Sequence, residues 1–417
     1  MCFQGQKALK IAQMSPKSQI FPSAWLLALV ALCAVPSCLE AGAIAWGAAH
    51  GLTGRALRDG LDFWGGGYLA LHGHLAALFD VRAYQAFFAG LYGTLPYHLW
   101  SYPPTYLLVA LPFGWLPPWP AVLSFDLLSL LLLAWVLRLA GKRGWFIAAI
   151  LASPASLENM LEHQNAALVT ALIGGGLLLL PRRPRLGGVL IGLASLKPQL
   201  GLALPLFLLR RAPVAFVAAA VSAVLLAALS WLVLGPAAWS GFWHFTRPAM
   251  SAVLLTGQPP AFAGGLISVF ASFRFLGVSG ALLVQGIISA AAILLSWRTR
   301  SPIAVLLLTA LACPYLHAYD LLGVTLAVAL LVEQRLATGF APFEAVLCFV
   351  AWFAPGLLPW APQFAHVTPF LLAALLASAV RRGGLGACDS SLAPPASPAL
   401  SAGRLPIPVP PDSTAPG

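Results

Sequence analysis

Charge is the scarcest property of this sequence. Only 8% of its 417 residues are charged, whereas 60% are hydrophobic and the mean hydropathy is +0.87. Apolar runs that follow one another so closely leave no polar face for water, which excludes a soluble globular protein and predicts an integral membrane protein. The net charge of +11 does not indicate nucleic-acid binding, because the basic residues stand in short clusters between apolar runs and read as topology signals.

Cysteine is also scarce and is not paired along the chain. The six cysteines show no CxxC spacing, so neither a zinc site nor a disulfide framework is indicated, and we expect no metal and no cofactor. They are scattered at Cys2, Cys33, Cys38, Cys313, Cys348 and Cys388.

The N-terminal region predicts the orientation of the chain. Residues 1–22 form a polar, lysine-bearing segment, and an apolar run follows at 23–45. That run is longer than the ~7–15 residues of a signal-peptide core, and further spans follow it, so we interpret it as an uncleaved first span behind a cytoplasmic N-terminus. Residues 50–104 are then the first outer (periplasmic) loop.

The fold class predicted from these runs is an all-α polytopic membrane protein with about twelve transmembrane or half-spanning helices. Residues 105–115 are apolar but too short to cross, since a span takes ~17–25 residues, and we expect them to lie at the outer interface. The pair at 186–209 is predicted to hinge at Lys197-Pro198, as broken backbone does where it lines a cavity. The candidate spans are 23–45, 121–140, 144–160, 166–180, 186–196, 199–209, 214–234, 279–297, 302–313, 320–334, 341–358 and 367–380.

The distribution of charge assigns the two faces. All but six of the 23 Lys and Arg residues fall on the predicted inner side, the exceptions being Arg55, Arg58, Arg82, Lys197, Arg247 and Arg274. Most carboxylates gather on the outer side, at Glu40, Asp59, Asp62, Asp80, Asp126, Glu158, Glu162 and Asp320. The membrane domain is therefore predicted at 23–382, and the Pro-, Ser- and Ala-rich residues 383–417 as a disordered cytoplasmic tail.

The first candidate site is the start of the outer loop. Asp62 stands beside Asp59 and near the aromatic Tyr68, so its carboxylate could deprotonate a hydroxyl at the membrane surface. A solvated loop acid is the alternative.

The second candidate lies at a predicted helix–helix turn. Glu158 and Glu162, four residues apart, share a helix face and with His163 could bind a metal. Gln164 and Asn165 supply both donors and acceptors, which suits sugar hydroxyls better. A polar turn at the interface without a ligand is the alternative.

Two further candidates contain a lysine and a histidine. Lys197, at the predicted hinge, could neutralise a phosphate, or it could only snorkel to the interface. His317 and Asp320, with Tyr319 between them, could hold an anionic headgroup, although aromatic belts and structural hydrogen bonds also explain such residues. Because all four candidates fall on one predicted face, the pattern favours a membrane-embedded enzyme over a transporter with a midplane site.

The order of these motifs carries a family resemblance. DFWGGGY, ALFD with a following YQ, SYPP, SPASLENMLEHQN, LASLKPQLGLALPL, LGPAAWSGF and CPYLHAYDLL together resemble bacterial glycosyltransferase family 87, polyprenol-phosphate-mannose-dependent mannosyltransferases of the GT-C type. The resemblance covers roughly residues 24–381. It departs from the family at His163, which stands where the family often has glycine.

The resemblance implies a GT-C bundle in the bacterial inner membrane whose active site faces outward. It implies a polyprenyl-phosphate sugar donor, inversion at the anomeric carbon and a catalytic aspartate at the position of Asp62, with Asp59 as the alternative. Combined with the residues, it suggests that Lys197 and His317 stabilise the departing phosphate. Glu162, Gln164 and Asn165 would hold sugar hydroxyls. The acceptor is a lipid or glycan, membrane lipids are partners, and a glycan flippase or an oligosaccharide polymerase or ligase is the alternative function.

Overall fold

The computed structural model of the chain describes residues 38–257 and 265–383. The predicted N-terminal segment, the beginning of the first span and the tail beyond residue 383 lie outside these residues. The described part consists of helices and connecting turns without a β-strand, which confirms an all-α protein.

Nineteen helices can be numbered in the described part. The N-terminal half contains α1 (Cys38–Ala49), α2 (Thr53–Ala56), α3 (Gly60–Leu71), α4 (Leu75–Phe79), α5 (Val81–Tyr92), α6 (Pro104–Ala110), α7 (Pro118–Leu139), α8 (Gly144–Leu151), α9 (Pro154–Leu161) and α10 (Ala166–Leu179). The C-terminal half contains α11 (Pro184–Leu193), α12 (Leu204–Arg211), α13 (Pro213–Thr256), α14 (Val269–Phe275), α15 (Ala281–Arg298), α16 (Pro302–Ala312), α17 (Leu322–Thr338), α18 (Glu344–Leu357) and α19 (Thr368–Gly383).

Five helical segments of the described part are long and apolar enough to cross a membrane. They are Pro118–Leu139, Pro213–Thr256, Ala281–Arg298, Tyr319–Thr338 and Pro362–Arg381. Leu232 on α13 and Leu283 on α15 are 79% and 69% exposed, as expected of side chains that face lipid instead of a protein core. The chain is therefore a membrane protein, and the total of about twelve spans stays a prediction.

Residues 50–104, predicted as the first outer loop, are mostly helical and pack into the core, and their position outside the membrane stays a prediction. The segment buries large aromatic side chains, among them Tyr84 and Phe88 on α5 and Trp100 after it. The glycines of α3 make this possible: a Cβ at Gly66 would stand 2.3 Å from the Trp100 ring, and one at Gly67 equally close to the Ala110 carbonyl oxygen. The glycines of the DFWGGGY motif therefore leave a surface without side chains, on which the Trp100 ring and the Ala110 backbone pack directly.

Two predicted breaks appear in the structure. Short 3₁₀ turns, Ala194–Leu196 and Pro198–Gly201, interrupt the chain between α11 and α12, so the hinge at Lys197-Pro198 is confirmed. Residues 105–115 form α6 and a 3₁₀ turn, Leu111–Trp115, which pack on α3 and are too short to cross. Helix α13 kinks at Gly235, whose φ is +74°, and continues as helix through the aromatic residues after Pro236.

Three helices separate a polar end of the bundle from a basic end. Helix α10 runs from Asn165 toward Arg182, the chain from Arg183 along α11 reaches Lys197, and α17 follows Asp320 and ends near Arg335. At the basic end, Arg182 donates a hydrogen bond to the Ala140 carbonyl and Lys142 pairs with Glu333. The basic clusters therefore share one end of the bundle, as their role as topology signals predicts.

Candidate active site

The polar end of the bundle is built where helices are interrupted. Asn165 precedes α10, Lys197 stands at the break after α11, and Asp320 lies in the turn that leads into α17. The Lys197 Nζ atom lies 2.5 Å from Asp320 Oδ1 and donates to Asn165 Oδ1 at 3.3 Å. Only 4% of Lys197 is exposed, so its ammonium is held inside the bundle and does not reach the surface. Snorkelling to the interface was therefore the wrong alternative.

The segment before α17 completes the surroundings of this lysine. The backbone N–H of His317 donates to Asp320 Oδ2 at 3.1 Å, and the Tyr319 ring stacks on the His317 ring with centroids 5.3 Å apart. Lys197 Nζ lies 5.2 Å from the centroid of the Tyr319 ring. Burial lowers the pKa of His317 to about 4, with Asp320 opposing this effect and the Lys197 charge adding to it, so the imidazole is neutral at pH 7.

A chain of side-chain hydrogen bonds and one ring stack links this lysine to the first candidate segment. Gln164 Nε2 donates to Asp59 Oδ2 at 2.7 Å, and the Tyr102 hydroxyl donates to Gln164 Oε1 at 3.1 Å. Tyr102 stacks on Tyr106 with ring centroids 4.2 Å apart, and the Tyr106 hydroxyl accepts from Asn165 Nδ2 at 3.2 Å. Residues separated by more than 250 positions, from Asp59 to Asp320, thus form one polar cluster.

Asp62 lies in the first turn of α3 and is buried, with 8% of its surface exposed. The alternative of a solvated loop acid is therefore wrong. Its Oδ2 lies 3.2 Å from His98 Nδ1, and its backbone carbonyl accepts from the Tyr84 hydroxyl at 3.1 Å. Its other carboxylate oxygen, Oδ1, is buried and has no hydrogen-bond partner among the described residues. A buried acceptor left in this state is open to a donor from a ligand.

The two aspartates of this segment influence each other. Burial raises the pKa of Asp59, and the negative charge of Asp62 raises it further, against the hydrogen bond from Gln164 and the positive charges of His98 and Arg58. Burial alone lowers the pKa of His98, but the charge of Asp62, with a smaller contribution from Asp59, outweighs it and leaves the pKa above its usual value. The His98 imidazole beside Asp62 therefore binds its proton more tightly than a histidine in water does.

Glu162 belongs to a neighbouring ion pair instead of the hydrogen-bonded chain. Arg58 lies between two glutamates, 2.5 Å from Glu40 Oε1 and in contact with Glu162 Oε1. Burial and the charge of Asp59 raise the pKa of Glu162 to about 7, although Arg58 opposes the shift. The charge of Asp59 therefore acts on Glu162, but the Glu162 carboxylate is paired with Arg58.

His163 turns away from Gln164. Its backbone has φ +52°, the left-handed region that glycine adopts most readily and that is strained for histidine. The His163 Nδ1 atom lies 2.6 Å from Asp126 Oδ2 on α7, and its ring meets Trp119 edge-on. The pair with Asp126 holds the strained turn that directs Gln164 and Asn165 into the cluster.

Tyr68 also lies apart from the polar cluster. Its ring packs on α3 and α5 among His72, Trp64 and Phe87, with centroids 4.0, 5.2 and 5.8 Å away. Conversely, sequence reasoning passed over His98, Tyr102 and Tyr106, although the SYPP motif contains one of them. Polar residues beside a Pro-Pro pair, in a segment between predicted helices, were the available signal. No group of three His, Cys, Asp or Glu residues in the described part is arranged to hold a metal ion.

Comparison with known protein families identifies the chain. A model described as glycosyltransferase family 87 matches residues 100–316, that is 217 of the 417 residues. The chain belongs to glycosyltransferase family 87. No curated protein and no solved structure matches it. The family 87 match includes Tyr102, Gln164, Asn165 and Lys197 and ends before Asp320, while Asp62 precedes it.

Membership in family 87, together with the membrane-spanning helices, makes the chain a membrane glycosyltransferase. Such an enzyme takes a sugar from a donor and attaches it to an acceptor. The polar cluster lies inside the apolar bundle and joins residues of the family 87 match to residues outside it, which makes it the candidate active site.

Proposed function

We propose that this glycosyltransferase moves a hexosyl group, in particular a mannosyl group, from a polyprenyl-phosphate-linked donor to a hydroxyl of a lipid or glycan acceptor, with inversion at the anomeric carbon. The observation that carries the proposal is the buried carboxylate of Asp62, which has one unpartnered oxygen and lies in the same polar end as the ammonium of Lys197. An open base and a fixed positive charge are the two groups that such a transfer needs.

Asp62 is the proposed general base. Its Oδ1 accepts the proton of the acceptor hydroxyl while the hydroxyl oxygen attacks C1 of the donor sugar from the face opposite the phosphate. The C1–O bond breaks, and its electron pair leaves with the polyprenyl phosphate. His98, 3.2 Å from the other oxygen, keeps the carboxylate oriented. Asp59 suits this role less well, because one of its oxygens already accepts from Gln164.

Lys197 is the proposed stabiliser of the departing phosphate. The ammonium has three donors, of which one is directed to Asp320 and one to Asn165, and the third is available to a ligand. Because the cation is buried, its attraction for charge that develops on the phosphate is screened less than it would be in water. Neutral His317 contributes a hydrogen bond to the phosphate instead of a second charge.

Gln164 and Asn165 are the proposed contacts for sugar hydroxyls, with Tyr319 as a ring on which the sugar packs. Both amides already bond to Asp59, Tyr102, Tyr106 and Lys197, so their orientation is fixed before a substrate arrives. Fixed polar groups lose less entropy on binding than mobile ones.

The donor's polyprenyl chain would follow an apolar groove beside the lysine break. The groove, of about 310 Å³, lies between α12 and α13 and reaches Ser195 and Pro198, the neighbours of Lys197. Residues 105–115 pack on α3 and are not part of this path. With the basic end in the cytoplasm, the polar end faces the exterior of a bacterial inner membrane, and both termini are cytoplasmic.

The test is transfer by the purified full chain in lipid vesicles. Labelled polyprenyl-phosphate-mannose should lose its label to a new acceptor, and Asp62→Asn should reduce the rate by ~10²–10⁴-fold, as removal of a general base does. Glu333→Gln, at the basic end, is the matched control and should keep the rate. Label that crosses the vesicle membrane without cleavage of the sugar–phosphate bond would indicate a flippase. Transfer only from a diphosphate-linked oligosaccharide would indicate a polymerase or ligase. Either result contradicts the proposal.

A further inference from the structure

Helix α13 is longer than a membrane is thick. Its 44 residues, Pro213–Thr256, would extend about 66 Å at the rise of an α-helix, whereas the hydrocarbon core of a bilayer is about 30 Å across. The kink at Gly235 divides it into residues 213–234, which are enough to cross, and a second half of similar length. We call residues 213–234 the crossing half and residues 236–256 the arm.

The kink turns the arm sharply. The Trp239 indole donates from Nε1 to the Ser230 hydroxyl at 3.2 Å, across nine positions of the chain. In a straight helix these two residues are about 13.5 Å apart along the axis, which is too far for their side chains to meet. The arm therefore leaves the axis of the crossing half.

The arm begins at the polar end of the bundle. The crossing half starts at Pro213, beside the basic cluster that ends α12, so it reaches Gly235 at the opposite end. There Gly241 of the arm packs on the Phe79 ring of α4, so closely that a Cβ would stand 2.3 Å from the ring. Helix α4 directly follows α3, the helix that carries Asp62.

The far part of the arm stays at the polar end. Val253 packs with Leu99, the residue after His98. The Leu254 carbonyl accepts a hydrogen bond from Arg274 on α14. The arm thus contacts segments next to the candidate active site near its beginning and again near its end. It lies across the polar end and does not return through the membrane.

The exposed side chains of the arm are of two kinds. Trp243 and Phe245 are 50% and 60% exposed, although burying large rings away from water is favourable. His244 and Arg247 are exposed as well, and the Arg247 guanidinium lies 5.2 Å from the centroid of the Trp243 ring. Arg247 stands near the middle of the arm. If the arm crossed the hydrocarbon, this exposed charge would face lipid near the bilayer centre, where charged side chains are costly.

The membrane interface accommodates both kinds of side chain. Tryptophan collects at the level of the lipid headgroups, and arginine is attracted to the headgroup phosphates there. A helix with apolar rings and basic residues on its free surface is typical of helices that lie along this interface.

We propose that the arm lies along the bilayer interface at the polar end of the bundle, with Trp243 and Phe245 among the lipid headgroups. Its partner is the lipid surface itself. Through Val253 and Leu99, the arm connects that surface with the segment that carries His98. This placement is separate from the transfer reaction and holds whatever sugar the donor carries.

The experiment measures depth by fluorescence quenching in the full chain, reconstituted in phosphatidylcholine vesicles. A fluorescent amino acid replaces Trp243 in one variant and Val224 in another. Val224, 66% exposed near the middle of the crossing half, is the matched reference. The lipid carries bromine on one acyl chain, either close to the headgroup or close to the bilayer centre. Shallow bromine should quench position 243 more than deep bromine does, and position 224 should show the reverse order.

Two other results would overturn the proposal. Stronger quenching of position 243 by deep bromine would mean that the arm crosses the hydrocarbon. Quenching by iodide from the water, with none from either brominated lipid, would place the arm in water. A third variant with the label at Phe245 repeats the measurement and should give the same order as position 243, so the test does not depend on the folding of one variant.

Discussion

The carboxylates of Asp62 and Glu344 are both buried, yet they are satisfied very differently. Both oxygens of Glu344 accept hydrogen bonds, from Arg335 Nε at 3.0 Å, from the Ala341 N–H at 2.9 Å and from the Ser378 hydroxyl at 2.8 Å. Asp62 has His98 beside one oxygen and no described partner at the other.

The difference distinguishes a carboxylate that stabilises the fold, Glu344, from one that is available to a substrate, Asp62. A saturated carboxylate cannot accept a proton from a substrate without losing bonds that stabilise the protein. A buried oxygen without a partner costs stability, and proteins retain such groups at functional sites. The Asp62 end is therefore where a substrate is expected, and the Glu344 end is where removal of a charge should affect folding alone.

The largest effect on folding should come from Glu344→Ala. Removing this carboxylate leaves Arg335 buried without its partner, so the free energy of unfolding should fall by ~3–5 kcal/mol. Denaturation of the purified protein measures this, and kcat of the folded fraction should not change. As the matched control, Glu333→Ala should cost under ~1 kcal/mol, because the Glu333 side chain is 31% exposed. A loss of kcat in folded Glu344→Ala would contradict the division between the two ends.

Lys197→Gln should lower kcat by about 10²-fold, as removal of one electrostatic donor to a developing charge does. The double variant Lys197→Gln/Asp320→Asn separates this role from a structural one. It removes both charges of the pair, so folding should recover while transfer should not. Full recovery of kcat in the double variant would mean that Lys197 only neutralises Asp320.

Asp59→Asn should have a smaller effect on transfer. Asparagine can still accept the hydrogen bond from Gln164, so the loss should be up to ~10-fold and should appear mainly in KM for the donor. Steady-state kinetics with varied donor measures this. If kcat instead falls as far as in Asp62→Asn, Asp59 is the base.

The smallest predicted effect is a change in the pKa of His98. The negative charge of Asp62 holds the pKa of His98 above its usual value against burial, so Asp62→Asn should lower this pKa. Protonated His98 favours the folded state below the unfolded pKa of ~6.5, and this contribution is lost as pH rises through the folded pKa. NMR titration of histidine-labelled protein measures the shift, with Glu333→Gln as control. An unchanged pKa in Asp62→Asn would mean that the pair at 3.2 Å is not coupled.

Much of the fold could be predicted from periodicity and length. The break at Lys197-Pro198 and the short 105–115 segment followed from a proline beside a charge and from helix length. The packing of residues 50–104 could not be predicted in the same way, because it depends on three glycines of α3 that admit Phe88, Trp100 and Ala110 at close range. Such long-range packing has no local pattern.

The candidate site could also be predicted only in part from the sequence. Asp62, Gln164, Asn165, Lys197 and Asp320 stood out as polar residues of an apolar chain that all fall on one predicted face. Which of them meet could not be predicted, since Glu162 is taken by Arg58 and His163 by Asp126. His98 and the stacked Tyr102 and Tyr106 carry no unusual spacing, and only the folded chain brings them to the aspartates.

The most direct test of Asp62 as an open base is chemical rescue in the variant Asp62→Ala. Transfer from labelled polyprenyl-phosphate-mannose by the purified full chain should be lost, with Tm close to the wild type. Added formate should restore transfer in proportion to its concentration, because a small carboxylate can occupy the vacated position. Asp59→Ala should not respond to formate. Full activity of Asp62→Ala without formate, or rescue of Asp59→Ala alone, would contradict the account.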